Sequence, residues 1–206
     1  IENGTATRIV DTDPLITNPV GTVTSLTVTL TNAQANDQFL INGSAATSGT
    51  LPGSISYTIS GGVIQLTGSA NAVLYQNALQ AITFQNTSEL PTAGDRTINL
   101  SFSNGTFSSN IATSTITVIA VNDTPTISAP ASYSGTEDTA LTLNGLTMAD
   151  VDAGTSSVQL TISVPAGVGV LNFAATPFIT VLNNGTGTVT LQGQRAAIVN
   201  AVNSGA

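Results

Sequence analysis

Oxygen ligands for a hard cation are concentrated in one part of the chain. Five of the eleven acidic residues lie within thirty residues that contain neither Arg nor Lys, and an Asn directly precedes the first of them. Calcium takes about six to eight oxygen ligands, and carboxylates, Asn amides and main-chain carbonyls are suitable donors. The pattern predicts a calcium site formed by Asn122, Asp123, Glu137, Asp138, Asp150 and Asp152.

The spacing of Asp150 and Asp152 favours a shared ligand. In a strand, side chains two positions apart point to the same side, so both carboxylates would project together while Val151 turns towards the core. Glu137 and Asp138 precede a predicted strand and would complete the shell. An Asp-x-Asp pair at a strand end is also common in solvated turns, so the sequence leaves both interpretations open.

Pro125 indicates how main-chain oxygens would join the same site. The residue before a proline is biased towards extended backbone geometry. This geometry would leave the carbonyl groups of Asn122 and Asp123 available as ligands. Asn and Asp near proline are also ordinary loop residues, but two acid-rich motifs together in a chain with few charges favour calcium.

The composition excludes most catalytic chemistry. The chain has no His, no Cys and no Lys, so Ser-His-Asp, Cys-His and Ser-Lys arrangements and His-ligated zinc cannot be built. A pair of carboxylates of the glycosidase type is still available. Sugar subsites are usually walled by aromatic residues, however, and the chain has no Trp and few other aromatic residues. We predict that the protein is not an enzyme.

Charge and hydropathy exclude two classes of partner. Three Arg against eleven acidic residues give a formal net charge of −8, which repels nucleic-acid phosphates and anionic lipid surfaces. The sequence contains no run of about 18 consecutive apolar residues, the length that predicts a membrane-spanning helix. We therefore expect neither nucleic-acid binding nor membrane insertion.

Alternating apolar and polar residues predict many short strands. In SLTVTLT (25–31), Leu26, Val28 and Leu30 would face inward and the Thr residues outward. The same period returns in SISYTIS, GVIQLTG, RTINLSFS, STITVIAV, ALTLNGLTM, VQLTISV and TVTLQG, with turn sequences such as LPGS, SGG and NNGT between them. This spacing is typical of an all-β sandwich.

One segment departs from the strand pattern. Residues 71–82, NAVLYQNALQAI, contain no Pro or Gly and predict a short helix over one end of the sandwich. Its apolar side chains, expected to pack inward, are Val73, Leu74, Leu79 and Ile82.

The helix and the strand before it recur near the C-terminus. IQLTGSANAVLYQNALQAI is similar to VTLQGQRAAIVNAVNSG, which aligns Gly68 with Gly193 and Ala72 with Ala197, and ENGTA at 2–6 matches EDTAL at 137–141. The chain therefore contains an internal repeat of about 120 to 135 residues.

The repeat predicts two domains, residues 1–121 and residues 122–206. The second lacks a counterpart of residues 83–121, which we expect to hold the last two strands of the first, so we expect it to be truncated at its C-terminal end. An incomplete sandwich exposes strand edges. The chain would then form homo-oligomers through these open edges.

The motifs VNDTPTI, GTEDTALTLNGLTMADVDAG and LTGSANAVLYQNALQAITFQNTSELPTAGDRTINLSFSNG resemble the cadherin-like, immunoglobulin-like tandem repeats of large secreted bacterial adhesins and other repeat proteins. The resemblance implies tandem β-sandwiches, each with one short helix, joined end to end with bound calcium. It also implies an extracellular location, at the bacterial cell surface or secreted. The partners would be neighbouring repeats of the same protein, and the module would be an extender or adhesive one.

Two other functions remain open from the sequence. One is a ligand-recognising adhesin domain that binds glycan or protein through its loops, for which residues 32–54 are the longest candidate loop. The other is a filament or surface-layer subunit assembled by strand exchange.

Overall fold

The computed structural model describes residues 4–17 and 21–204, and β-strands dominate it. The chain divides into two compact units, Ile1–Val121 and Asn122–Ala206. The described residues contain fourteen strands and two helices, so the predicted all-β class is confirmed. No helix within these ranges is long and apolar enough to cross a membrane.

The elements of unit 1 are β1 (Thr7–Arg8), β2 (Val23–Leu30), β3 (Asp37–Ile41), β4 (Ser48–Leu51), β5 (Ile55–Ser60), β6 (Val63–Ala70), α1 (Ala72–Gln80), β7 (Ile82–Asn86), β8 (Gly94–Ser103) and β9 (Ala112–Val118). Those of unit 2 are β10 (Thr126–Ser128), β11 (Thr147–Ala149), β12 (Ser157–Ser163), β13 (Ile179–Leu182), β14 (Thr188–Gln194) and α2 (Arg195–Ser204).

The larger sheet of unit 1 has the order β4-β5-β6-β2-β8-β9, and every pairing is antiparallel. Its central strand β2 follows the predicted alternation, with Leu26, Val28 and Leu30 buried. Leu26 pairs with Leu66 on one side and with Phe102 on the other. Because one face of the sheet is buried and the other is not, the two-residue period survives in the sequence.

The smaller sheet of unit 1 has the order β1-β7-β3, with β7 in the middle. Residues 83–121 therefore hold three strands, not two. The prediction that 32–54 form a long loop is also wrong, because this segment contains β3 and β4. In β3 the three consecutive residues 39–41 are buried, so the strand shows no alternation.

Both sheets of unit 1 contribute to one hydrophobic core. The side chains that are almost completely buried come from strands of both sheets, from the residue after β1 and from α1. The largest of them are Tyr75, Ile9, Ile41, Ile55, Ile64, Leu66, Ile82 and Ile98.

The predicted helix of unit 1 is confirmed as α1. It begins after Asn71, whose side chain accepts a hydrogen bond from Leu74 N at 2.9 Å, as a helix N-cap does. Val73, expected to pack inward, is 59% exposed. Leu79 and Ile82 are buried as expected, and Tyr75 and Ala78 complete the buried face of the helix with Leu79.

A charged pair lies inside unit 1. Arg96 in β8 is 2% exposed, and its Nε donates to Asp37 Oδ2 at 2.6 Å. The same guanidinium donates to the carbonyls of Gly94 and Thr92, and Asn86 Nδ2 donates to Asp37 Oδ1 at 2.7 Å. The buried charges are thus paired and hydrogen-bonded, which offsets their loss of hydration.

Unit 2 has a three-stranded sheet, β12-β14-β13, a separate β10-β11 pair and the helix α2. Its own core is smaller and consists of Leu146, Leu160, Leu171, Phe173, Ile179, Val189, Leu191, Ile198, Ala201 and Val202. In unit 1 the central strand β2 pairs on both sides, whereas β12 pairs only with β14 in the described part of the chain.

The repeat is visible in the backbone of the last strand before each helix. In both units a glycine of that strand lies close to the main chain of the neighbouring strand. Gly68 in β6 has φ +141°, and a Cβ there would lie 2.7 Å from Ser54 O. Gly193 in β14 has φ +157°, and a Cβ there would lie even closer to Phe178 O. In unit 1 the Tyr75 hydroxyl donates to Gly68 O at 2.7 Å, and burial raises the pKa of this phenol.

The predicted strand ALTLNGLTM (140–148) forms only at its end, as β11. The main chain of residues 140–143 makes no hydrogen bond to any residue that the structure describes. A strand requires a hydrogen-bonded neighbour, so the apolar alternation alone was not sufficient here.

Candidate functional site

The predicted calcium ligands lie on a long hairpin at the start of unit 2. β10 and β11 pair antiparallel, with Thr126 opposite Ala149 and Ser128 opposite Thr147. Asp123 lies three residues before β10 and Asp152 three residues after β11. The register therefore brings these two acids together at the open end of the hairpin.

Hydrogen bonds from main-chain N–H groups to carboxylates link three aspartates at this end. Asp123 N donates to Asp152 Oδ2 at 2.5 Å. Asp150 Oδ1 accepts hydrogen bonds from Asp152 N at 3.0 Å and from Ala153 N at 2.9 Å. We call Asp123, Asp150 and Asp152 the aspartate cluster. All three residues are partly buried.

The aspartate cluster lies in a turn, and this changes two details of the prediction. Val151 is 42% exposed and does not face the core, because β11 ends at Ala149 before the acids begin. The carbonyl of Asp123, expected to be available, accepts a hydrogen bond from Asn122 Nδ2 at 2.9 Å. The exposed Asn122 thus contacts the aspartate cluster by this side-chain hydrogen bond.

Glu137 and Asp138 lie at the other end of the hairpin. Its two arms stay adjacent beyond the β10-β11 ladder, since the Tyr133 hydroxyl donates to Asn144 O at 2.7 Å. A turn closed by Thr139 N donating to the carbonyl of residue 136 forms the tip, and both acids are exposed there. The structure therefore does not bring these two acids to the aspartate cluster.

A basic residue that the sequence did not predict contacts the aspartate cluster. Arg195, the first residue of α2, donates from Nη1 to the main-chain oxygen of Asp150 at 3.1 Å. The acid-rich stretch contains no Arg, but the fold brings one from more than forty residues away. The repeat alignment places Arg195 opposite Ala70 of unit 1. A basic residue at a position where the other unit has Ala was the one indication in the sequence that Arg195 has a role specific to unit 2.

The donor set fits a calcium ion in part. Asp150 Oδ2 and Asp152 Oδ1 accept no hydrogen bond from any described residue, and Asp123 Oδ2 is buried beside them. These are hard oxygen donors of the kind that calcium prefers. Among residues 4–17 and 21–204, however, no three acidic side chains are arranged as a metal-binding group. Further oxygens from main chain or water would be needed.

Comparison of the chain with protein-family models, with curated proteins and with solved structures finds no match.

Proposed function

We propose that the chain is a structural extender module of a secreted or surface-attached bacterial repeat protein. Each unit would be a cadherin-like or immunoglobulin-like sandwich with one short helix, and its partners would be neighbouring repeats of the same protein. The observation that carries the proposal is the recurrence of the same strand, glycine and helix arrangement in both units, β6-α1 and β14-α2. The lack of His, Cys and Lys supports a role without catalysis.

Calcium is the second part of this proposal. Three like charges at one end of the hairpin repel each other, and a divalent cation bound to the aspartate cluster would remove this repulsion. Asp123 lies two residues after the unit boundary at Val121. An ion that ties Asp123 to Asp150 and Asp152 would therefore restrict the backbone where unit 2 begins, and so stiffen the module.

The alternative of a ligand-recognising domain loses its main argument. It relied on residues 32–54 as a long loop, and these residues contain β3 and β4. The extender function is the one that we propose, and the filament or surface-layer subunit assembled by strand exchange stays a prediction from the sequence.

Calorimetric titration of the chain with calcium tests the proposal. We expect binding with a Kd of about 10⁻⁴ to 10⁻³ M, the range of extracellular modules. Asp150→Asn combined with Asp152→Asn should abolish it. Asn keeps the oxygen that accepts the turn hydrogen bonds, so this double variant removes charge without removing the turn.

The hairpin tip provides the matched control. Glu137→Gln combined with Asp138→Asn removes the same amount of charge at the distant end and should leave the binding heat unchanged. Loss of binding in this control, or binding that survives in the Asp150 and Asp152 variant, would show that the aspartate cluster is not the site.

A further inference from the structure

The middle strand of the smaller sheet in unit 1 has a particular position in the repeat. Thr7 of β1 and Phe39 of β3 both pair with Phe84 of β7, so β7 is hydrogen-bonded on both sides. Only Ala81 separates β7 from the end of α1. The helix thus leads directly into the strand that joins β1 to β3.

Unit 2 contains counterparts of the two outer strands. The match of Thr5 and Ala6 with Thr139 and Ala140 makes residues 141–143 equivalent to β1 and its next residue. Leu171 and Phe173 are buried at alternate positions before β13. They hold the place that β3 holds before β4 and β5.

These two segments of unit 2 line a common groove. It has a volume of about 240 Å³ and is lined by residues 140–143, residues 170–173 and Val202 of α2. No described strand lies between the two segments. We call this cavity the unit 2 groove.

The backbone along the unit 2 groove lacks hydrogen-bond partners. Residues 140–143 on one side, and Val170 and Asn172 on the other, make no main-chain hydrogen bond within the described ranges. Leu171 bonds to Thr186 on the side away from these groups, through Leu171 N to Thr186 O at 2.8 Å. Two rows of donors and acceptors therefore flank one apolar cavity, which is what an added β-strand requires.

We propose that the unit 2 groove is the binding site of a β-strand of the β7 type, joined to the C-terminal end of α2 as β7 is joined to α1. The residues that line the groove are all uncharged. The strand that fits is therefore uncharged over about five residues and carries apolar side chains at alternate positions, as Ile82 and Phe84 do in β7. Val202 lines the groove, so a strand that leaves α2 enters it without a long connection.

The experiment appends the sequence of residues 82–91 behind Ala206 of the full chain, with Gly205 and Ala206 as the link. Hydrogen exchange is then compared with that of the unmodified chain. We expect the amides of residues 170 and 172, and the alternate amides of residues 140–143 that face the groove, to exchange at least about tenfold more slowly, because they become paired. Light scattering should show a monomer.

Two variants make the experiment specific. A control tail with Ser in place of Ile82 and Phe84 should give no protection, because its side chains cannot fill the cavity. Leu141→Arg in the tailed chain should cancel the protection. Leu141 is 47% exposed on the groove wall, so the substitution obstructs the groove without disturbing the core.

Three results would overturn the proposal. The first is an unchanged exchange rate in the tailed chain, and the second is equal protection by the control tail. The third is protection of the same amides in the unmodified chain that grows with protein concentration, because the strand would then come from a second copy. All measurements are made in a chelator, so their outcome is independent of the calcium site.

Discussion

Arg96 and Arg195 meet the acidic residues of their units in different ways. Arg96 forms a buried ion pair with Asp37, and four further hydrogen bonds satisfy the two side chains from either side. Arg195 donates to the main-chain oxygen of Asp150 and not to its carboxylate. The first arrangement stabilises a core, while the second leaves oxygens for an ion.

Arg96→Met should destabilise unit 1 by about 3 to 5 kcal/mol, because it leaves the Asp37 carboxylate buried without its cation. Denaturant unfolding followed by hydrogen exchange in unit 1 measures the loss. Adding Asp37→Leu to this variant should restore part of the stability, since no uncompensated charge is then buried.

Arg8→Met provides the comparison for the Arg96 variant. Arg8 is exposed in β1, and its removal should change stability by no more than about 0.5 kcal/mol. Equal effects of the two substitutions would mean that net charge, not the buried pair, sets the stability.

At the scale of elements, Gly68 and Gly193 allow the strand before each helix to lie close to the main chain of its neighbouring strand. Gly68→Ala and Gly193→Ala would each place a methyl group against a main-chain oxygen at a positive φ. Each should cost about 1 to 3 kcal/mol, the range for a strained backbone. Hydrogen exchange should locate the first loss in unit 1 and the second in unit 2.

Gly169→Ala is the matched glycine variant. Its Cβ would have no neighbour within 4 Å, so the stability should stay within about 0.5 kcal/mol of that of the unmodified chain. If Gly68→Ala or Gly193→Ala proved equally neutral, the main chain of the neighbouring strand would not lie as close to these glycines as described.

The elements that the sequence predicted are those with one buried and one solvated face. β2 shows the period of two, whereas β3 is buried at three consecutive positions and β7 ends in the buried polar residue Asn86. β3 could therefore not be recognised from alternation. β7 does alternate, but its first residue, Ile82, continues the apolar spacing of the helix before it. In the candidate site, the concentration of acidic residues in one stretch of the sequence predicted Asp123, Asp150 and Asp152 as ligands. The hairpin register that separates Glu137, and the contact from Arg195, depend on pairing that no local pattern encodes.

At the scale of the whole molecule, unit 1 has everything that an independent domain needs. Its two sheets and α1 share one core, and its buried charges are paired within it. A fragment of residues 1–121 should therefore unfold in a single cooperative transition on heating. Calorimetry checks this, with agreement between the calorimetric and van't Hoff enthalpies as the criterion. A broad transition would show that unit 1 depends on the rest of the chain.

The pairing of β2 with β8 also has a consequence in time. Ser25 pairs with Ser103, which lies 78 residues later. At a synthesis rate of about 5 to 20 residues per second, β2 would wait roughly 4 to 15 seconds for this neighbour to leave the ribosome. Contacts so distant in sequence also make folding slow once the chain is complete. One edge of β2 can pair with β6 soon after residue 70 is made, whereas its other edge stays unpaired until β8 has been synthesised.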